Sequence, residues 1–222
     1  MNRDRLEAFS DGVFAIAITL LVLAIRVPET DADLGHALLS LWPSYVAYVM
    51  SFIVIGAIWI NHHSMFTHIA RVDAWVMILN LLQLLFIAFL PFPTEVLARA
   101  FLSGVDASIA TAFYGGTLSL LGAVVTLTWH YAAANPRLLD DRITPEKVRL
   151  LRRRYLVGPV LYAAASVIGL VAPIVAVAIF IGANVYFLLP RRSSEGLFII
   201  GAPRARPPAD DPASQARPDE GR

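Results

Sequence analysis

The sequence predicts an all-α membrane protein whose chain crosses the bilayer six times. Three observations carry this. Apolar residues make up 57% of the 222 residues and charged residues only 16%, against roughly a quarter charged in an ordinary soluble domain. The charges are grouped, which leaves uncharged stretches long enough to span a membrane. Lysine and arginine then segregate to one side of a six-span arrangement, the positive-inside pattern.

A bilayer core about 30 Å thick takes roughly 20 helical residues. The first apolar run, Gly12 to Ile25, lies between Asp11 and Arg26 and would make only about 21 Å of helix. To cross, its helix must begin near Asp4, drawing Phe9, Ser10 and Asp11 into protein surroundings and giving a span over about 4–26. A helix with polar groups at that depth is normally shielded by other helices, so this span is expected to be central. Arg3, Asp4, Arg5 and Glu7 precede the run and no small-residue cleavage site follows it. It therefore reads as a retained span and not as a cleaved signal.

No charged residue stands between His36 and His62, which gives a second span over about 38–61 with Pro43 near its start, where proline is tolerated. A third, about 74–94, ends in Leu90-Pro91-Phe92-Pro93, and a fourth, about 107–130, carries Gly115-Gly116, a pair that lets helices approach closely. Tyr155 to Pro190 is uncharged again, about 54 Å if helical. That length predicts two short crossings, about 154–171 and 173–190, turning near Gly169 to Pro173. Together these make a six-helix membrane domain over 1–192.

Between the fourth and fifth spans, residues 135–153 read as a cytoplasmic linker, partly an amphipathic helix opened by Thr144-Pro145-Glu146. Residues 193–222 end in a stretch rich in Pro, Ala, Asp and Arg with no large apolar residue after Ile200, a composition that predicts a disordered tail. Six spans put Arg3, Arg5, Arg71, the linker cations, Arg191, Arg192 and the tail arginines on one side, leaving Arg26 and Arg99 opposite. Both termini are thus expected in the cytoplasm, with the protein in the cell's plasma membrane as a multi-pass protein.

Several function classes drop out. The absence of cysteine removes disulfide, thiolate-metal and Cys-nucleophile chemistry,. A net charge of +1 argues for no nucleic acid or other polyanionic partner. There is no phosphate-cradling glycine loop, no G-x-S-x-G elbow and no H-E-x-x-H helix, so neither an enzyme nor a small-molecule substrate is indicated. Arginine-periodic voltage sensors and T-V-G-Y-G filters are missing as well.

The first span carries the pattern of most interest. At about 100° per residue, Ile16, Thr19 and Leu23 fall within roughly 40° of Gly12, with Phe9 and Arg5 on nearly the same stripe. Such a stripe is the ordinary mark of helix packing, with the Thr19 hydroxyl bonded back to the Ala15 carbonyl. Several copies around an axis would instead make a pore, with apolar rings that gate by dewetting and a hydroxyl layer that partly replaces an ion's hydration.

At this helix the sequence resembles a known family. Arg5-Leu6-Glu7-Ala8-Phe9-Ser10-Asp11 matches the R-x-x-x-F-S-D signature of the transmembrane-protein-175 potassium channels, and Ile16, Thr19 and Leu23 stand at that family's pore-facing places. The resemblance continues through Trp59-Ile60-Asn61-His62-His63, Asp73, Asn80-Leu81 and Leu90-Pro91-Phe92-Pro93-Thr94. It implies a passive channel selective for potassium, K+ being the permeant ion and no cofactor required. With one six-helix repeat, the chain is similar to the bacterial form, which implies a homotetramer in membrane lipid around four copies of the first helix. Ile16 and Leu23 would be hydrophobic constrictions and Thr19 the polar layer. Arg5, Phe9, Ser10 and Asp11 would form the signature network, supported by Asn61, His62, His63, Asp73 and Asn80.

An Asp at mid-bilayer costs about 2.5 to 3.5 kcal/mol on insertion scales, so Asp11 is expected to have a partner, Arg5 or one of the histidines. His62 and His63 project about 100° apart and cannot both ligate one ion from one helix face, so an interfacial polar cap is expected there and no metal. A His joined to Asp11 would add pH sensitivity near neutrality. The competing readings are a proton-coupled secondary transporter built on Asp11 and His62 or His63, and a non-conducting membrane scaffold whose arginine-rich linker binds anionic lipid.

Overall fold

The computed structural model describes residues 3–28, 33–104 and 106–188. They form α1 (Arg3–Leu20), α2 (Leu34–Ser40), α3 (Trp42–His68), α4 (Ala74–Phe89), α5 (Pro91–Ser103), α6 (Ala107–Ala134), α7 (Pro145–Gly169) and α8 (Pro173–Leu188). Extended pairing among the described residues is limited to one antiparallel bridge, Ile69 with Leu139. Four helical segments are long and apolar enough to cross a membrane: Arg3–Ala24, Trp42–His68, Ala74–Ser103 and Ala107–Ala134. This is an all-helical, multi-pass membrane protein. The 193–222 tail lies outside the described residues.

α1 starts at Arg3, so two polar turns extend the short apolar run, and a 3-10 turn over Leu21–Ala24 lengthens it further. α4 and α5 are one rod with a joint. Pro91 and Pro93 lack N–H groups, and the Leu90 N–H turns back to the Ile87 carbonyl at 3.2 Å in a tighter turn. The helix resumes with Thr94 bonded to the Leu90 carbonyl and continues to Gly104, whose φ of +69° closes it in the left-handed cap that glycine favours,. Asp73 caps α4 by accepting from the Val76 N–H, and Thr144 caps α7 by accepting from the Lys147 N–H.

α7 runs unbroken from Pro145 to Gly169. The arginine-rich turns and the apolar run after them are a single helix. Its inner Pro159 cannot donate to the Tyr155 carbonyl, and the Thr126 hydroxyl of α6 lies 2.7 Å from that carbonyl and donates to it. α6 and α7 lie close because small residues line their seam. A Cβ on Gly115 would meet Ser166 at 3.0 Å and the Phe180 ring at 2.6 Å, and one on Gly169 would meet Thr111 at 2.8 Å. Gly116 faces only the Ser166 hydroxyl, at 3.8 Å.

Two apolar clusters divide the interior. One holds Phe14, Leu21, Val54, Leu84, Tyr114 and Phe180 with their neighbours. The other, with Leu6, Phe66, Ile69, Trp129 and Leu138, gathers the start of α1, the end of α3, the start of α4 and the end of α6. That end is tied by backbone bonds from Ala70 to Leu138 (2.8 Å) and from Asp140 to His68 (3.0 Å). Arg3 adds a bond to the Ile69 carbonyl at 3.4 Å and an ion pair with Glu7 at 2.7 Å. Arg26, Glu95 and Arg99 form an ion cluster, with Glu95 Oε1 taking both cations at 3.0 and 2.7 Å.

Candidate functional site

α1 has two faces with opposite fates. Leu6, Ser10, Phe14, Ala17 and Leu21 recur at helical spacing and are buried against the rest of the chain. Opposite them, Arg5, Phe9, Gly12, Ile16, Thr19 and Leu23 are all exposed. Ile16 is 61% and Leu23 70% accessible, too much for either to be core of its own chain. The Thr19 hydroxyl donates to the Ile16 carbonyl at 2.8 Å and not to Ala15 as expected. Its proton is used within the helix while its oxygen lone pairs stay accessible.

The buried face is fixed by a directional chain of hydrogen bonds. Ser10 Oγ donates to the Leu6 carbonyl at 2.8 Å. Having spent its proton there, Ser10 accepts from Asn80 Nδ2 at 3.0 Å. The Asn80 carbonyl oxygen therefore faces His62, 2.8 Å from Nε2, which makes that ring nitrogen the donor. Ser10, Asn80 and His62 are each at most 2% exposed, so every bond in the chain is shielded from competing water. His62 is further sandwiched by Phe14 and Phe66, with ring centroids 5.5 and 4.5 Å away. His63 is exposed, and the divergence of the two rings follows from their adjacent positions on one helix.

Asp11 does not pair with Arg5 or with a histidine. Its Oδ1 accepts from the indole Nε1 of Trp59, 2.8 Å away on α3. Arg5 shares the outer stripe with Phe9, and helical phase keeps it from reaching inward, whereas Arg3 points to Ile69 and Glu7. The hydrogen bond expected between a histidine and Asp11 is not formed; His62 bonds to Asn80, which continues to Ser10. Asn61 donates to the Ala57 carbonyl of its own helix at 2.9 Å and does not touch α1 through that amide.

Asp73 sits at the same end, outside the membrane-spanning helices. Burial works to raise its carboxyl, but the Val76 N–H, the Tyr131 hydroxyl at 2.7 Å and Arg137 at 3.9 Å outweigh burial and hold it below the ordinary value. The sequence places Trp59 within the family resemblance but gives it no role as the partner of Asp11. A carboxylate at depth needs a donor at matching depth on the next helix, and an indole N–H supplies one.

The comparisons with known proteins converge on one family. The model of the family "Endosomal/lysosomal potassium channel TMEM175" matches residues 5–91. The chain is 44% identical over 165 residues to a potassium channel of Streptomyces collinus, covering 73% of this chain and 80% of that one. It is 40% identical over 189 residues to a potassium channel of Chamaesiphon minutus, covering 83% and 93%. The crystal structure of a lysosomal potassium-selective channel TMEM175 homolog from Chamaesiphon minutus superposes with a TM-score of 0.76 at 38% identity, covering 83% of this chain and 95% of that one. These relatives are named as ion channels, and none of the three is named as an enzyme. The chain belongs to the TMEM175 family of potassium channels.

Proposed function

We propose that the chain is one subunit of a potassium-selective channel that conducts passively, with four copies of α1 around a shared axis. The observation that carries this is the outer face of α1. Ile16, Thr19 and Leu23 are exposed in the single chain, while Ser10 on the opposite face is bonded to α4 and Asp11, on the flank between the two, to α3. A lone subunit would turn the exposed Thr19 hydroxyl oxygen toward hydrocarbon, which offers it no hydrogen-bond partner. Copies gathered around water supply one.

In this arrangement Ile16 and Leu23 form apolar constrictions that gate by dewetting, and Thr19 supplies the oxygen layer between them. Six crossings per subunit follow if the apolar half of α7 and α8 also span, which brings both termini to the cytoplasmic side of the plasma membrane. That side then carries the arginine-rich start of α7, in keeping with the positive-inside rule. K+ is the permeant ion, and the chemistry calls for no cofactor.

Flux from liposomes holding the purified full-length protein tests this. A channel gives a conductance set by the potassium gradient alone. Transport that requires a second, coupled ion would replace the channel with a transporter, and no flux in a properly assembled preparation would leave a scaffold.

A further inference from the structure

α1 does not keep one geometry to its end. After Leu20 the α-helix gives way to a 3-10 turn over Leu21–Ala24. The turn closes with the Ile25 N–H bonded to the Val22 carbonyl at 3.0 Å, and the backbone at Ile25 is extended. Hydrogen bonds in a 3-10 turn are poorer than in an α-helix, so a turn of this kind needs something else to hold it. Leu21 is fully buried in the core, which pins one side, while Leu23 is exposed.

The other hold is Arg26. Its guanidinium meets Glu95 Oε1 through Nε at 3.1 Å and Nη2 at 3.0 Å. Glu95 belongs to α5, which packs against the turn, and it stands on a fixed base. The Thr94 hydroxyl donates to the Leu90 carbonyl at 2.8 Å. Ser51 Oγ, 2.8 Å away, therefore donates to Thr94 and accepts from the Tyr114 hydroxyl at 2.9 Å. Ser51, Thr94 and Tyr114 are all fully buried, so these bonds fasten the α4–α5 joint to α3 and α6 without competition from water. Arg99, one turn further along α5, steadies the same Glu95 oxygen at 2.7 Å. The carboxylate is thus the fixed partner, and the end of α1 is the side that can yield.

Helical phase gives the direction of that yielding. At about 100° per α-helical residue and about 120° per 3-10 residue, Leu23 stands about 100° around the axis from Thr19. Rewound as α-helix, the same turn would place Leu23 about 40° from Thr19 and shorten the end of α1 by about 1.5 Å. Rewinding therefore draws Arg26 away from Glu95 and swings Leu23 onto the face that carries Ile16 and Thr19.

We propose that Arg26 and Glu95 are positioning residues for conduction: their ion pair holds the 3-10 turn and keeps Leu23 turned aside from the pore axis, and its loss lets Leu23 close the path. This rests on the reading that α1 lines the pore.

Potassium flux from liposomes holding the full-length protein tests it. Glu95→Gln and Arg26→Gln should each lower flux about two- to fivefold, the shift that one exposed ion pair can impose. Arg26→Glu combined with Glu95→Arg should restore it. Charge at the pore mouth acting on its own would give opposite signs, because removing a cation there favours cation entry. Arg99→Gln leaves Glu95 to Arg26 alone and should not lower flux. In a Leu23→Ser background neither Arg26→Gln nor Glu95→Gln should change flux, since the side chain that they swing inward is gone. Higher flux in Arg26→Gln, no recovery in the charge exchange, or losses that persist with Leu23→Ser would each overturn the proposal. Failure of the pore reading itself is seen separately, as unchanged flux in Leu23→Ser alone.

Discussion

Trp59 donates its indole N–H to Asp11 across 2.8 Å, joining α3 to α1 between the buried Ser10 and the exposed Ile16. The bond holds a carboxylate at the rim of the outer stripe and sets the rotation of the helix that presents it. Trp59→Phe keeps the ring and removes the donor. Because both side chains are exposed in the single chain, the stability loss should be small, about 1 kcal/mol. Conductance should fall more than the unfolding temperature does. Unchanged flux in Trp59→Phe would remove this bond from the positioning of α1.

Asn80 is the buried counterpart. Asn80→Leu leaves the His62 N–H without an acceptor and the Ser10 oxygen without a donor, at about 1 to 3 kcal/mol for each. Thermal unfolding should report most of that sum. In a double-mutant cycle, Ser10→Ala and Asn80→Ala should couple by about 1 kcal/mol, as contacting partners do. Additive effects would mean that the Asn80–Ser10 bond at 3.0 Å contributes nothing as a pair.

Thr19 and Leu23 test the outer stripe directly. Thr19→Val preserves shape and removes the oxygen, so the potassium-to-sodium permeability ratio should drop with assembly intact. Thr19→Ser should keep it. Leu23→Ser should raise resting leak by wetting the constriction. Each is measured by reversal potentials or flux in liposomes. If the ratio holds in an assembled Thr19→Val channel, selectivity lies elsewhere.

Asp73 predicts an acid limb in stability. The folded protein holds this carboxyl below its ordinary 3.8, the Val76, Tyr131 and Arg137 contacts outweighing burial. A depressed pKa means that the unfolded chain takes up the proton first as pH falls. The contribution is therefore complete above about pH 4 and disappears as pH drops through the folded value. Wild type should lose stability over that range more steeply than Asp73→Asn, measured by unfolding at fixed ionic strength. Parallel curves would show that Asp73 is not the group responsible.

Much of the architecture was legible because membrane burial writes itself into composition. The uncharged run after His36 becomes α3, the proline pair after Leu90 becomes the α4–α5 joint, and Gly115 becomes a point of close helix contact. Helical phase placed Ile16, Thr19 and Leu23 together on a face apart from Ser10, since that needs only 3.6 residues per turn. The family motif added a role for that face.

What the linear order could not decide was partnership. Asp11 demanded a donor, but only the approach of α3 selects Trp59 over Arg5 or a histidine. His62 and Asn80 were both visible as polar residues in apolar surroundings, yet their bond and its continuation to Ser10 depend on how α4 is rotated against α1 and α3. Arg26 and Glu95 meet only because α5 packs beside the end of α1. Periodicity within one helix is a local property of the backbone, whereas a hydrogen bond between helices is set by the packing of all their side chains at once.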